Sequence, residues 1–393
     1  MKSATPRHPI RRLLAIAGFA AVVAAGPAAA LDYSTAGKQA ILLDFDTGTV
    51  LYEKNADEIM YPASMTKIMT AMLAFERLRE GSLSLDDELP VSEEAWRKGG
   101  SKMFVQVGDK VRVDDLLHGI IVQSGNDASI VVAEGLAGSE AAFGERMTER
   151  GHAIGMKNTV FRNSTGWPDP EHVTTARDMA LLAHHVIATF PELYAIYAEK
   201  EFTYGKSLDG KPITQSNRNP LLYRMTGADG LKTGHTEASG YGLTASAKRG
   251  DRRLIMVING LDSVKARSEE SQRLLEWGFR EFDNVRLFAA GETVTSADVW
   301  LGDTQTVPLV IKDELAVTMP RTARRGMKVT VSYDAPLPAP LAAGTQVATL
   351  RIEGPDMDPI EAPLVTGADV GRLDFIGRIS SAIGYLVWGS AGS

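Results

Sequence analysis

Cysteine is absent from the 393-residue chain, which excludes disulfides, thiolate metal sites and a cysteine nucleophile. Histidine is scarce: seven residues, scattered, with no His-Glu-x-x-His arrangement, so the pattern of a zinc enzyme is missing. A basic excess is missing too, since 42 Lys and Arg stand against 49 Asp and Glu. An acidic chain with no basic run in its folded part argues against nucleic acid as a partner. The apolar run Leu13 to Val23 falls short of the roughly 20 residues that a membrane-spanning helix needs. No internal repeat or long low-complexity tract occurs.

What is present is ordinary for a globular protein of two or three domains with a large core: 44 % hydrophobic and 23 % charged residues. Residues 1–30 read as a secretory leader. Lys2, Arg7, Arg11 and Arg12 make a basic start, Leu13 to Val23 an apolar centre, and Ala28-Ala29-Ala30 a small-residue cleavage site, so removal after Ala30 is expected. Losing four basic residues and no acidic one takes the formal charge from −7 to −11.

The chain is organised around Tyr61-Pro62-Ala63-Ser64-Met65-Thr66-Lys67, which runs directly into apolar Ile68 to Phe75. The second part has no Gly or Pro, and its pattern predicts a helix buried on most sides. Pro62 suits a first turn, which places Ser64 among the free N–H groups at the positive end of the dipole. Lys67, three residues on, shares a face with Ser64. A hydroxyl beside an amine whose extra proton is disfavoured by burial is a candidate nucleophile with its base. The bland alternative is a capping serine and a solvated lysine, and about one such spacing arises by accident in a chain of this length.

Flanking patterns organise the rest. Gln39 to Phe45 and Thr49 to Glu53 read as a hairpin; Asp114 to Val122, Asp127 to Leu136, Ser139 to Ile154 and Thr175 to Ile187 read as helices. Tyr241 to Ala247 and Arg253 to Asn259 form a second hairpin, followed by a helix from Ser268 to Phe282. Strands at both ends with helices between predict one α+β domain with an antiparallel sheet, over 31–285. Residues 286–366 carry short Val- and Thr-rich runs cut by Gly and Pro, the pattern of an all-β domain. Beyond it, 367–393 forms a tail in which Leu373, Ile376, Ile379, Ile383, Leu386 and Val387 recur at helical spacing. With charges at Arg372, Asp374 and Arg378 such a helix cannot span a bilayer but can lie in its surface; the alternative is a terminal helix docked on the β domain.

Two further motifs give the Ser64/Lys67 pair its weight. Ser124-Gly125-Asn126 interrupts a helix, so two polar side chains can face a cleft, although turns use these residues everywhere. Lys232-Thr233-Gly234 reads as the start of a strand where Gly lets a second backbone approach, with Lys and Thr able to hold a carboxylate. In isolation an exposed turn reads equally well. All three in this order are hard to obtain by accident.

In this order and wording the chain resembles the penicillin-binding proteins and serine β-lactamases, and most of all the low-molecular-mass D-alanyl-D-alanine carboxypeptidases. Gly155-Met156, Thr159, Phe161, Asn163 and Asn217-Arg218-Asn219 match that group as well. The resemblance implies a transpeptidase-like α+β fold and removal of the terminal D-alanine from peptidoglycan stem peptides through an acyl-enzyme, with β-lactams as further ligands and no metal or cofactor. It implies that Ser64 attacks, Lys67 is the base and Ser124 relays a proton to the leaving amine. Asn126 orients the acyl side, Lys232 and Thr233 hold the terminal carboxylate, and the substrate lies along the strand at Gly234. The backbone N–H groups of Ser64 and His235 would form the oxyanion site, and the His235 side chain is a candidate substrate contact. It also implies a periplasmic protein held at the inner membrane by the tail.

A D,D-endopeptidase or β-lactamase of the same fold is the alternative activity. A non-catalytic wall-binding protein would have lost Ser64 or Lys67, and both are present. The loop 166–174 lacks the Glu-x-x-Leu-Asn of class A β-lactamases and carries Asp169, Glu171 and His172, which belong either to the site or to a solvated loop. His118, His184 and His185 fall in helical segments and read as packing residues.

Overall fold

Gln39–Asp44 (β1) and Val50–Lys54 (β2) form an antiparallel hairpin whose turn is held by the Asp44 carboxylate, which accepts the N–H groups of Asp46 and Thr47. Gly48 takes the positive φ of 69° there. Three strands near the end of the same unit complete the sheet: Ala228–Thr236 (β3), Gly240–Arg249 (β4) and Arg252–Leu261 (β5). The order is β2-β1-β5-β4-β3, antiparallel throughout, which leaves β3 at an edge. In this computed structural model the described residues are 11–16, 33–207, 209–355 and 357–374. They fall into two units, one over Tyr33–Arg280 and one from Glu281 onward that takes in the N-terminal strand.

The longer helices of the first unit are Lys67–Arg79 (α1), Val113–Ile121 (α2), Asn126–Ala137 (α3), Glu140–Ala153 (α4), Ala176–Thr189 (α5) and Val264–Glu281 (α6). Side chains alternate across the sheet: Ile41, Leu43, Ile255 and Val257 enter the main helical core. Leu42 and Leu254 instead meet α6, where a Cβ on Gly278 would lie 2.6 Å from Leu42 Cδ2. Helix α1 is buried from Lys67 through Phe75 except at Leu73, as its apolar pattern predicts. A ribbon of Glu201–Lys206 and Pro212–Ser216 has no counterpart in the sequence reading, because its strands bury little and so carry no apolar signature.

The second unit is a β structure of Phe282–Phe288 (β6), Thr293–Trp300 (β7), Thr306–Ile311 (β8), Leu315–Pro320 (β9), Lys328–Asp334 (β10), Gln346–Glu353 (β11) and Ile360–Thr366 (β12). Its core is built from alternate residues, among them Leu309, Val331, Leu350, Ile352 and Leu364. Phe282 pairs with Pro320, so this unit starts before 286. At the other end Val370 bridges to Leu341 and Arg372 to Gly302, which draws 367–374 into the β structure and away from the tail. The rest of the expected amphipathic helix lies outside the described residues. So does most of the leader, of which Arg11–Ile16 pairs antiparallel with β10.

Candidate active site

The sequence places Ser64 in the first turn of an α-helix; the structure places it in a 3-10 turn, Ala63–Thr66, that feeds α1. Ala63 has φ 48°, and the Lys67 N–H reaches the Ser64 carbonyl. The tighter turn matters because side chains three residues apart eclipse one another in it. Lys67 Nζ accordingly lies 3.3 Å from Ser64 Oγ. Lys67 is completely buried, with Nζ also 2.7 Å from Asn126 Oδ1 and 2.6 Å from the Thr165 carbonyl. Burial above all, then the positive charge of Arg218, brings its amine down to about 7, against the opposing pull of Glu140 and Asp127. A neutral amine has two protons and one lone pair. The two carbonyl oxygens take the protons, which leaves the lone pair for the Ser64 hydroxyl.

Ser124 and Asn126 come from the break between α2 and α3, where Ser124 adopts φ 63° and is buried. Asn126 divides its amide between two partners: Oδ1 accepts from Lys67, and Nδ2 donates 2.8 Å to the Gly99 carbonyl. The residue after it was missed by the sequence reading. Asp127 accepts the backbone N–H groups of Met103, Phe104 and Val105, at 2.8, 2.8 and 3.3 Å, and so ties the 99–105 loop to the start of α3.

The third motif lies on the edge strand β3, with Lys232, Thr233 and Gly234 buried. A Cβ on Gly234 would come within 2.7 Å of the Pro62 carbonyl, and its cross-strand partner Gly242 faces Met65 Cε. Two glycines thus let the Ser64 turn sit against the sheet. Lys232 has its amine pushed well down by burial, then by the charges of Lys67, Arg218 and Arg267. Arg267, on α6, is buried with Nε unpartnered, lies over the Tyr241 ring at 5.7 Å, and is lowered to about 10 chiefly by burial. Arg218 donates to Ser101 Oγ at 2.6 Å. Arg218 stood in the quoted Asn217-Arg218-Asn219 pattern without a role; nothing in the sequence marked Arg267. The result is a cluster of basic groups whose charged forms disfavour one another and that an anion would stabilise.

A family model for D-alanyl-D-alanine carboxypeptidase matches residues 24–263, and one for the C-terminal domain of penicillin-binding protein 5 matches residues 282–375. The chain belongs to the D-alanyl-D-alanine carboxypeptidase family. It is 40 % identical over 347 residues to the carboxypeptidase DacC of Escherichia coli, covering 86 % of this chain and 85 % of the relative. The solved penicillin-binding protein 5 of Haemophilus influenzae is 36 % identical with a TM-score of 0.78, over 87 % of this chain and 99 % of that one. The carboxypeptidase DacD of Francisella tularensis has the same TM-score at 32 % identity, over 90 % and 97 %. The protein is a serine-type D-Ala-D-Ala carboxypeptidase with a penicillin-binding-protein fold, and the all-β domain after its catalytic domain matches that family's C-terminal domain.

The candidate site is bounded on one side by the loop that follows Phe161, whose Thr165 carbonyl reaches Lys67 and whose Gly166 lies against Ala63. His172, left between the site and a solvated loop by the sequence, is buried, with Nε2 2.8 Å from Thr66 Oγ1. Its Nδ1 accepts the Arg162 N–H at 3.0 Å, so the ring proton sits on Nε2 and the hydroxyl accepts it. Burial lowers this histidine to about 4. Asp169 lines a groove of about 270 Å³ together with Tyr61, Pro62, Trp167 and Thr236. His235 is exposed and stacks on Tyr241 at 3.9 Å. His118 bonds to the Asp114 carbonyl and to Glu199, and His184 to the Phe45 carbonyl, both away from Ser64.

Proposed function

We propose that Ser64 is the residue acylated in the hydrolysis of the terminal D-Ala-D-Ala bond, with Lys67 as its base. The observation that carries this is the amine itself: buried, brought down to about 7, and within hydrogen-bond reach of Asn126 Oδ1, the Thr165 carbonyl and Ser64 Oγ, so that in the neutral form the two carbonyl oxygens can take its protons and its lone pair can face Ser64. Lys67 takes the hydroxyl proton as Oγ bonds to the carbonyl carbon. The oxyanion is held by the backbone N–H groups of Ser64 and His235. Its collapse breaks the peptide bond and expels D-alanine, whose amine receives a proton relayed through Ser124. Water then splits the ester, the proton returns to Ser64 Oγ, and the shortened peptide leaves as a carboxylate.

Asn126 orients the acyl side, and the peptide lies along the free edge of β3 at Gly234. Lys232, Thr233 and the neighbouring Arg267 receive the terminal carboxylate. That cationic end favours a carboxypeptidase over an endopeptidase, whose scissile bond is followed by no free terminus. β-Lactams enter the same site through their own carboxylate and carbonyl. In a Ser64→Ala variant, labelling by a fluorescent penicillin and D-alanine release both vanish while the far-UV spectrum stays that of the wild type. Labelling at the wild-type rate would overturn the assignment.

The leader and tail support an exported protein, cleaved after Ala30 and resting on the periplasmic face of the inner membrane through its C-terminal amphipathic helix. Among the described residues no single helix is long and apolar enough to cross a membrane.

A further inference from the structure

The carbonyl that takes one of the Lys67 protons belongs to a loop, and one side chain organises that loop. Asn163 Oδ1 accepts four donors: Thr165 N at 3.2 Å, Thr165 Oγ1 at 3.0 Å, Gly166 N at 2.8 Å and Trp167 N at 3.0 Å. Its Nδ2 donates back to the Trp167 carbonyl at 3.0 Å. With these N–H groups turned inward, the carbonyls of Ser164 and Thr165 face α1, where they accept Thr70 Oγ1 and Lys67 Nζ, each at 2.6 Å. The loop backbone lies directly on the catalytic turn, since a Cβ on Gly166 would fall 1.8 Å from the Ala63 carbonyl. Its far end is tied to the same turn by His172 and Thr66.

We propose that Asn163 is a positioning residue for the acylation step: through the Thr165 carbonyl it fixes where the second Lys67 proton goes, and hence where the lone pair points. Asn163 touches no reacting atom, and nothing in the roles assigned above requires it. An amine with only one fixed acceptor can rotate about its Cε–Nζ bond and lose the Ser64 hydroxyl. The proposal rests on Lys67 acting as the base.

The test measures acylation by a fluorescent penicillin against pH in the wild type, Asn163→Ala and Asn163→Asp, with thermal unfolding of each and Ser64→Ala as control. The alanine variant loses all four acceptor bonds, and acylation at the optimum falls about 100-fold, the scale of an ångström-sized misplacement. The aspartate variant keeps an acceptor oxygen in the same place and recovers most of the rate at alkaline pH. Its added negative charge holds the Lys67 proton more tightly, so its acid limb moves to higher pH. That shift is read against a fixed background around Lys67: Arg218 and Lys98 are positive, Glu140 and Asp127 negative, His172 is neutral, and the Lys232 amine is pushed well down by burial.

A folded alanine variant acylating at the wild-type rate overturns the proposal. Should that variant fail to unfold cooperatively, the aspartate variant decides alone: a wild-type acid limb, or no recovery at alkaline pH, overturns it equally. Failure of the underlying reading is recognised separately, as labelling of the Ser64→Ala control or as acylation at the wild-type rate by a Lys67→Ala variant.

Discussion

Lys67 answers two demands with one environment. As the proposed base it must lose its proton near neutrality, which burial favours, and it must aim its lone pair, which its two carbonyl partners favour. Since the neutral form is the proposed base and the group sits at about 7, acylation should rise tenfold per pH unit below 7 and level off above it. Stopped-flow labelling between pH 5 and 9 checks this; a rate that falls through that window would mean the charged form is the active one. The Ser64 and Lys67 pair was legible because both residues lie in one short motif whose helical spacing is a local property. The parts played by Asp127, Asn163 and Arg267 were not, although Asn163 stands in a pattern shared with the family. Each works through hydrogen bonds or fields between segments remote in sequence, and each on its own looks like an ordinary polar residue.

At the scale of elements, the site depends on how closely the Ser64 turn sits on β3. Gly234 permits that approach, and the atom a side chain would meet is the backbone carbonyl of Pro62, which cannot rotate away. Gly234→Ala should therefore push strand and turn apart and destabilise the protein by about 1–3 kcal/mol. Acylation should drop more than stability alone explains, because both proposed oxyanion donors move. Thermal melts with labelling rates well below the midpoint separate the two effects, and an unchanged rate in a destabilised variant would show the approach to be structural only. The sequence already marked this glycine as a point of close backbone approach. It could not name the partner, because Pro62 arrives from the other end of the domain.

The whole molecule divides into a helical and sheet unit with the site, and a β unit with its own core. Each has its buried apolar residues, and the β unit extends through Arg372 by its bridge to Gly302. Ending the chain after Asp374 should thus spare both cores and remove only the expected amphipathic segment. The shortened mature protein should label with penicillin at the full rate, stay in the soluble fraction and ignore anionic vesicles that the full mature chain binds. If both forms ignore them, the anchor is wrong. Ending it instead at Thr366 should cost stability, since the Val370 and Arg372 pairings go with the tail.

The sequence by itself determined the order of the main elements, though not the Glu201–Lys206 and Pro212–Ser216 ribbon, the all-β character of the second unit and the three motifs, because periodicity and short spacing are local. It carried the location of the proposed nucleophile and base, and the strand with its glycine. Tertiary structure decided the state of those groups. A lysine is a base or a surface cation according to what surrounds its amine. Here the surroundings are Asn126 and Thr165, 59 and 98 residues away along the chain. The same holds for the proposed carboxylate end of the cleft, where the charges of Arg218 and Arg267 act on Lys232 from separate segments. Fields and desolvation act through space, so only the folded chain brings those charges close enough to shift one another.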